Sequence, residues 1–165
     1  MEKVLQVDIE RCSGCRTCEA VCSLKNTGEC NPTRSRMRVI RYEKIGQFHN
    51  YIPMVCQQCK TPFCMEACPV NALSRDEETG AIVVDEERCV GCRICVMICP
   101  IGGVFIDPVT NLAYKCDLCD GDPECVKHCD LEAIKFVPKD LADLSRKRAS
   151  SERLSELLSL MESLR

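Results

Sequence analysis

Apolar residues in this chain fall in short runs, and most runs alternate with polar positions. Val4 to Ile9 alternates and leads into a cysteine group, the pattern of a half-buried strand. Arg36-Met-Arg-Val-Ile-Arg-Tyr42 alternates basic and apolar residues in the same way. Asn71-Ala-Leu-Ser74, Asp76-Glu-Glu-Thr-Gly80 and Ala81-Ile-Val-Val84 read as strand, turn and strand, a hairpin closed at Gly80. Val104-Phe-Ile106 and Leu112-Ala-Tyr114 predict a second hairpin around Asp107-Pro108, and Ala133 to Val137 predicts a last strand stopped by Pro138. A sustained helical period occurs near the C-terminus, at Leu154, Leu157, Leu158, Met161 and Leu164, with Ser150-Ser-Glu152 as its start. Residues 139–165 also lack Gly, Pro, Cys and aromatic residues. They predict a C-terminal helical extension whose stripe packs on its own chain or meets a partner or second copy.

Such runs make a weak conventional core, because aromatic residues are 4% of the chain and tryptophan is absent. Cysteine changes the picture: 17 of 165 residues are cysteine. Sixteen fall into four groups: Cys12-Cys15-Cys18-Cys22, Cys56-Cys59-Cys64-Cys68, Cys89-Cys92-Cys95-Cys99 and Cys116-Cys119-Cys125-Cys129. Two groups follow the bacterial ferredoxin run C-x2-C-x2-C-x3-C, and Pro100 follows Cys99 as in that motif. The other two are looser, with Thr61-Pro62 inside Cys59-x4-Cys64 and Gly121-Asp-Pro123 inside Cys119-x5-Cys125. Three residues separate the third and fourth cysteines of each group, which suits one helical turn. Cysteine loop, short helix and hairpin thus form an internal repeat.

Thiolates suit iron–sulfur clusters and zinc alike, and spacing separates the two. Structural zinc sites draw ligands as separated pairs, whereas Cys12/Cys15/Cys18 and Cys89/Cys92/Cys95 each place three thiols within seven residues. Sixteen thiolates match four [4Fe–4S] clusters. In two-cluster ferredoxins the fourth cysteine of a run ligates the other cluster. That rule gives Cys12, Cys15, Cys18 with Cys129 (cluster 1); Cys22 with Cys116, Cys119, Cys125 (cluster 2); Cys56, Cys59, Cys64 with Cys99 (cluster 3); and Cys68 with Cys89, Cys92, Cys95 (cluster 4). Cys30 is left as a free thiol, and His49 and His128 as structural residues. The run Arg34, Arg36, Arg38, Arg41 and Lys44 reads as a solvated strand face, or as a surface that docks a partner or balances the cluster charge. Proline follows Cys68 and Cys99 but not Cys22 or Cys129, so the two outer clusters are expected to be the more exposed.

The formal charge is −3, and about −2 for each oxidised cubane with its thiolates takes the total to about −11. Backbone N–H groups of the cysteine loops, then Arg and Lys, are the expected compensation. Ligand formation contributes to folding, so the cluster-free chain is expected to be largely unfolded. The N-terminus shows no signal-peptide h-region or twin arginine, and no run reaches membrane-spanning length. The expectation is a cytoplasmic protein, where reduced thiols favour metal over disulfides. No GxGxxG, Walker A or radical-SAM CxxxCxxC run occurs, and no catalytic residue is expected.

The four-group pattern, with Cys56-Gln-Gln-Cys59, Cys64-Met-Glu-Ala-Cys68-Pro69, Cys89-Val-Gly-Cys92 and Lys115-Cys-Asp-Leu-Cys119, resembles the four-cluster ferredoxin subunits of complex redox enzymes over residues 3–137. Cys15-Arg-Thr-Cys18-Glu-Ala-Val-Cys22, Asn31 to Val39 and Asn50 to Cys59 are similar to the small subunits that accompany tungsten enzymes of the aldehyde:ferredoxin oxidoreductase family. Cys129-Asp130 departs from the Cys-Pro common there. The resemblance implies the same crossed ligand sets and an α+β fold. It would comprise two pseudo-symmetric two-cluster ferredoxin-like units, a central one at about 53–106 nested in an outer one of 1–30 plus 107–138. Together they make a 1–138 polyferredoxin domain, followed by the 139–165 extension. It implies a non-catalytic subunit that passes single electrons between a tungsten or molybdenum catalytic subunit and a flavin subunit, ferredoxin or other acceptor. The alternatives are an iron–sulfur partner of carbon monoxide dehydrogenase, formate dehydrogenase or hydrogenase, a free-standing carrier, and a regulatory cluster protein. Self-association into a filament through the C-terminal helix is a further expectation; a nucleic-acid partner or direct membrane span is not.

Overall fold

The computed structural model describes residues 2–45, 48–144, 151, 152 and 155. Four antiparallel two-stranded ribbons carry the chain among the described residues. The first strand, β1 (Lys3–Val7), pairs with the last, β8 (Ile134–Pro138), from Lys3 opposite Pro138 to Val7 opposite Ile134. Beyond the ladder, Lys139 N–H donates to the Glu2 carbonyl at 3.0 Å and Lys139 Nζ to Glu2 Oε2 at 2.9 Å. The distant parts of the chain are thereby closed on each other.

Two hairpins are local: β4 (Leu73–Arg75) with β5 (Ile82–Val84), and β6 (Val104–Ile106) with β7 (Ala113–Lys115). Their turns use one device. Asp76 Oδ1 accepts from Thr79 N–H at 2.7 Å, and Asp107 Oδ1 accepts from Val109 N–H at 2.7 Å. Each turn ends in a left-handed residue, Gly80 at φ 72 and Asn111 at φ 59, as an Asx-headed loop requires.

The remaining ribbon joins β2 (Met37–Lys44) to β3 (Phe48–Val55). β2 follows the alternation expected of it. β3 has no such signal, since Pro53 interrupts it; a two-stranded ribbon is all edge, which tolerates proline. Helix α1 (Thr17–Thr27) runs five residues past Cys22 and is capped by Gly28 at φ 73. It buries Cys18, Glu19, Cys22 and Ser23 on one face. Buried Glu19 accepts from Val39 N–H at 2.6 Å and fixes α1 to β2. The other helices, α2 (Phe63–Glu66), α3 (Ile94–Ile98) and α4 (Glu124–Lys127), are single turns between third and fourth cysteines, as expected.

Cysteines sit inside both apolar cores. One gathers Leu5, Met37, Val39, Val55, Leu118 and Ile134 around Cys18, Cys22, Cys56, Cys116 and Cys125. The other gathers Leu73, Ile82, Val104 and Ala113 around Cys64 and Cys95. Residues 139–144 are helical. The leucine stripe expected at Leu154, Leu157, Leu158, Met161 and Leu164, with the self-association assigned to it, lies outside the described residues. No helix among the described residues is long and apolar enough to cross a membrane.

Candidate iron–sulfur centres

Each cysteine loop is bent by left-handed residues. Gly14 (φ 73) with Arg16 (φ 61), and Gly91 (φ 65) with Arg93 (φ 66), stand at matching places in the Cys12 and Cys89 loops. Arg16 and Arg93 are the N-caps of α1 and α3. Successive N–H groups turned this way form a concave surface that favours anions. The glycines are also required by space: a Cβ on Gly14 would lie 2.3 Å from the Tyr51 ring, and one on Gly91 would lie 2.5 Å from the Asn111 carbonyl oxygen. Gln58 (φ 47) bends the Cys56 loop without glycine, and in the Cys116 loop the run Leu118, Cys119, Asp120 (φ 63, 49, 55) continues into Gly121 (φ 89).

The fold brings the thiols together across groups. Cys12, Cys15, Cys18 and Cys129 line one cavity of about 310 Å³, with Val39, Pro53, His128 and Ile134. Cys22, Cys116, Cys119 and Cys125 line a second pocket with Met37 and Leu118. Burial raises the Cys64 thiol above its ordinary pKa, and the thiols of Cys56, Cys99 and Cys59 push it the same way. Burial, then the Cys89 and Cys92 thiols, pushes Cys95 up to about 11, and Cys68 packs in the same apolar core as Cys89 and Cys95. Burial likewise pushes Cys18 up to about 12 and holds Cys116 and Cys125 well above the ordinary thiol range. Such thiols give up their protons to a metal and not to water.

The arrangement suits cubanes. A mononuclear ion draws its donors to about 2.3 Å from one point. A cubane instead spreads four thiolates over the corners of a larger body. Backbone N–H groups meet the sulfurs as expected: Ala72 to Cys68 at 3.3 Å, Gly103 to Cys99 at 3.3 Å, Arg36 to Cys22 at 3.3 Å and Ala113 to Cys89 at 3.5 Å. Such bonds stabilise charge on sulfur and shift cluster potentials.

Neighbouring sets also adjoin: Cys18, Cys22, Cys56, Cys116 and Cys125 share one apolar core, and Cys64 and Cys95 the other. Cys125 feels the thiol of Cys18, Cys116 that of Cys56, and Cys95 that of Cys64. Exposure does not divide outer from central groups as the missing prolines suggest. Cys15 and Cys92 are exposed, while Cys22, Cys116 and Cys125 are all buried. The most enclosed set is an outer one, because α1, β2 and the Cys116 loop close over it.

Cys30 is exposed. His128 Nδ1 lies 3.0 Å from the Glu124 carbonyl, and the His49 ring lies tilted at 59° to that of Tyr51, centroids 6.1 Å apart. The basic run is not a uniformly solvated face. Arg34 pairs with Asp107 at 2.8 Å, Arg36 pairs with Asp117, and Arg38 lies 4.8 Å over the Phe105 ring. These contacts tie residues 34–38 onto the second hairpin and the Cys116 loop. Sequence reasoning also missed two buried polar residues, Gln58 and Lys115. Periodicity cannot separate Gln58 from half-buried Gln57. One overlooked signal was the repeated frame Val7-Asp-Ile-Glu-Arg-Cys12 and Val84-Asp-Glu-Glu-Arg-Cys89. Its aspartates make matching bonds: Asp8 N–H to the Ala133 carbonyl at 2.8 Å, and Asp85 N–H to the Ala72 carbonyl at 2.7 Å.

Thiol-lined cavities at bent loops, strung through a small helix-and-ribbon fold, define a ferredoxin-like iron–sulfur protein. Residues 47–139 match the model of the 4Fe-4S dicluster domain, and the chain belongs to that family. The polyferredoxin-like subunit of aliphatic sulfonate oxidoreductase from Pyrococcus furiosus is 45% identical over 131 residues, covering 78% of this chain and 73% of that one. The B subunit of anaerobic dimethyl sulfoxide reductase from Escherichia coli is 36% identical over 151 residues, covering 81% and 72%. A component of the BamBC active-site complex of benzoyl coenzyme A reductase superposes with a TM-score of 0.47 at 28% identity, over 82% of this chain and 75% of that one. The protein is an electron-transfer iron–sulfur subunit of oxidoreductase complexes, without a catalytic centre of its own, and carries four [4Fe–4S] clusters.

Proposed function

We propose that the clusters are held by the four crossed sets: Cys12, Cys15, Cys18 and Cys129; Cys22, Cys116, Cys119 and Cys125; Cys56, Cys59, Cys64 and Cys99; Cys68, Cys89, Cys92 and Cys95. The shared cavity of the first set and the shared pocket of the second support them. The mutual influence of the thiols supports the third, and for the fourth it is joined by the common core of Cys68, Cys89 and Cys95. A bound [4Fe–4S] cluster supplies a one-electron carrier. The protein's part is to string the sets in one line, and a single observation carries this reading: Cys18, Cys116, Cys125 and Cys56 share one apolar core and Cys64 and Cys95 the other, so that neighbouring sets adjoin. Cys15 and Cys92 are exposed at the two ends of that line. Two units on one plan, the central one nested in the outer one, make the line. The matching turns at Asp76 and Asp107 and the matching frames at Asp8 and Asp85 support that plan.

One end would face the catalytic subunit of a tungsten or molybdenum oxidoreductase of the aldehyde oxidoreductase type. The other would face a flavin subunit, a ferredoxin or another acceptor. The motif resemblance and the 45% identity to an oxidoreductase subunit support this partner. The crossing is tested with single variants read by electron paramagnetic resonance. Cys129→Ala is expected to remove the same centre as Cys15→Ala; if it removes the centre lost in Cys119→Ala, the crossed sets are wrong. Affinity purification from the native source should recover a catalytic metal subunit. A protein that purifies alone and still shuttles electrons would reassign it as a free carrier.

A further inference from the structure

Two buried polar side chains lie where the Cys56 loop, β5 and the Cys116 loop meet. Gln58 is 1% exposed and Lys115 2% exposed. Ile82 N–H donates to Gln58 Oε1 at 2.9 Å, and Gln58 Nε2 donates to the Cys116 carbonyl at 2.8 Å. Lys115 Nζ donates to the Ile82 carbonyl at 2.6 Å and reaches the Cys116 carbonyl at 3.5 Å. The amide of Gln58 is thus answered by dipoles. The ammonium of Lys115 is a full charge in the interior whose hydrogen bonds go to neutral carbonyls; of the two carboxylates that line a pocket with it, Asp117 is taken by Arg36 and the exposed Glu86 makes no hydrogen bond to it. Burying an ammonium without a counter-charge is costly, so the counter-charge belongs to something else at this junction.

The thiols around it identify that something. Lys115 adjoins Cys116 in the chain, and its Nζ shares the Ile82 and Cys116 backbone with Gln58, which stands between Cys56 and Cys59. Resting on the ligand sets proposed above, we infer that Lys115 is the charge compensator of the two inner centres. Its ammonium stands between the Cys56/Cys59/Cys64/Cys99 set and the Cys22/Cys116/Cys119/Cys125 set and raises their reduction potentials. Each reduction adds one electron from the neighbouring carrier and no proton. A fixed cation beside the site favours the more negative, reduced state. Gln58 holds the same junction rigid without adding charge.

The test uses full-length protein reconstituted with iron and sulfide and titrated potentiometrically under electron paramagnetic resonance. K115Q can donate to the same carbonyls but carries no charge. At full iron content, two of the four centres should become harder to reduce by at least tenfold in the reduced-to-oxidised ratio, about 59 mV for a one-electron couple. The other two should move less, and K115R should return the pair towards wild type. Unchanged potentials in fully loaded K115Q overturn the inference, as does a K115R pair as low as that of K115Q. Should K115Q assemble fewer clusters, K115R decides. Full loading at wild-type potentials shows that the site requires the charge; loss of iron in K115R as well means a packing role and overturns it. Wild-type protein with fewer than four clusters would instead strike the ligand sets, and this inference with them.

Discussion

The Cys12 and Cys89 loops are built alike and embedded differently. Both leave a strand through an aspartate whose N–H reaches an alanine carbonyl, Ala133 or Ala72, and whose Oδ1 takes a second N–H, from Glu10 at 3.1 Å or Glu87 at 3.0 Å. Both bend at a glycine and then at a left-handed arginine that starts a helix. Beyond that they part. The Cys89 loop lies against its own local hairpins, with the Asn111 backbone behind Gly91. The Cys12 loop lies against the Tyr51 ring of β3, and the strand ahead of it, β1, pairs with β8 far along the chain. Loop geometry is thus a local property, and what surrounds the loop is set by distant segments.

Cluster removal should erase the comparison altogether. Both cores are lined by cysteines, Cys18, Cys22, Cys56, Cys116 and Cys125 in one and Cys64 and Cys95 in the other. Without metal those positions are small thiols facing cavities. Stripping iron with a chelator under oxidising conditions is expected to abolish cooperative thermal unfolding in both halves. Far-ultraviolet circular dichroism checks this. A cluster-free chain that still melts cooperatively would show that the ribbons hold themselves.

The glycines separate the two embeddings. At Gly91 an added Cβ meets backbone, which cannot step aside; at Gly14 it meets a side chain. Gly91→Ala should lose its centre, about four iron atoms per chain, and should resist rescue. Gly14→Ala should lose iron alone but regain it in the double variant with Tyr51→Ala, leaving only the left-handed strain of about 1 kcal/mol. Iron analysis of the three proteins decides the matter. Equal behaviour of the two glycines, or no rescue at Gly14, would remove the distinction.

The long-range closure is probed at Leu5, fully buried and paired with Phe136 in the ladder. Leu5→Ala is expected to destabilise by about 3 kcal/mol. The damage should appear first as iron loss from the Cys12 and Cys116 groups, with the central groups keeping theirs. Time-resolved iron release followed by electron paramagnetic resonance would show the order. Simultaneous loss of all four centres would mean that the halves unfold as one.

What the sequence disclosed follows the same division. The cysteine loops, the single-turn helices and both hairpins were legible because residues close in sequence determine them: cysteine spacing, Asp-headed turns, alternating strands. The first and last strands were also visible as strands, although their mutual pairing needed the ferredoxin ligand rule to bring Cys129 to the Cys12 loop. The ribbon strand β3 was invisible because an edge tolerates Pro53 and weak alternation. The exposure of the outer centres was misread from Cys22-Ser23 and Cys129-Asp130, since burial there depends on α1 and β2 and not on a proline. The roles of Arg34 and Arg36 depended on Asp107 and Asp117, more than seventy residues away.

The smallest effect tests whether the loops are truly alike. Arg16 and Arg93 occupy the left-handed region at φ 61 and 66, where a residue with a Cβ is strained by about 1–2 kcal/mol relative to its preferred conformation. Glycine removes that strain and gives back part of the gain through a more flexible unfolded chain, about 0.4–1 kcal/mol. Arg16→Gly and Arg93→Gly should therefore each stabilise the clustered protein by about 0.5 kcal/mol. Both side chains are exposed, so little packing is lost at either. The two gains should agree despite the different surroundings, because the strain belongs to the loop alone. Apparent melting temperatures of the paired variants, at equal iron content, measure this. A gain at one arginine and a loss at the other would mean that Tyr51 or Asn111 already governs the backbone of its loop, and the likeness would then end at the glycine.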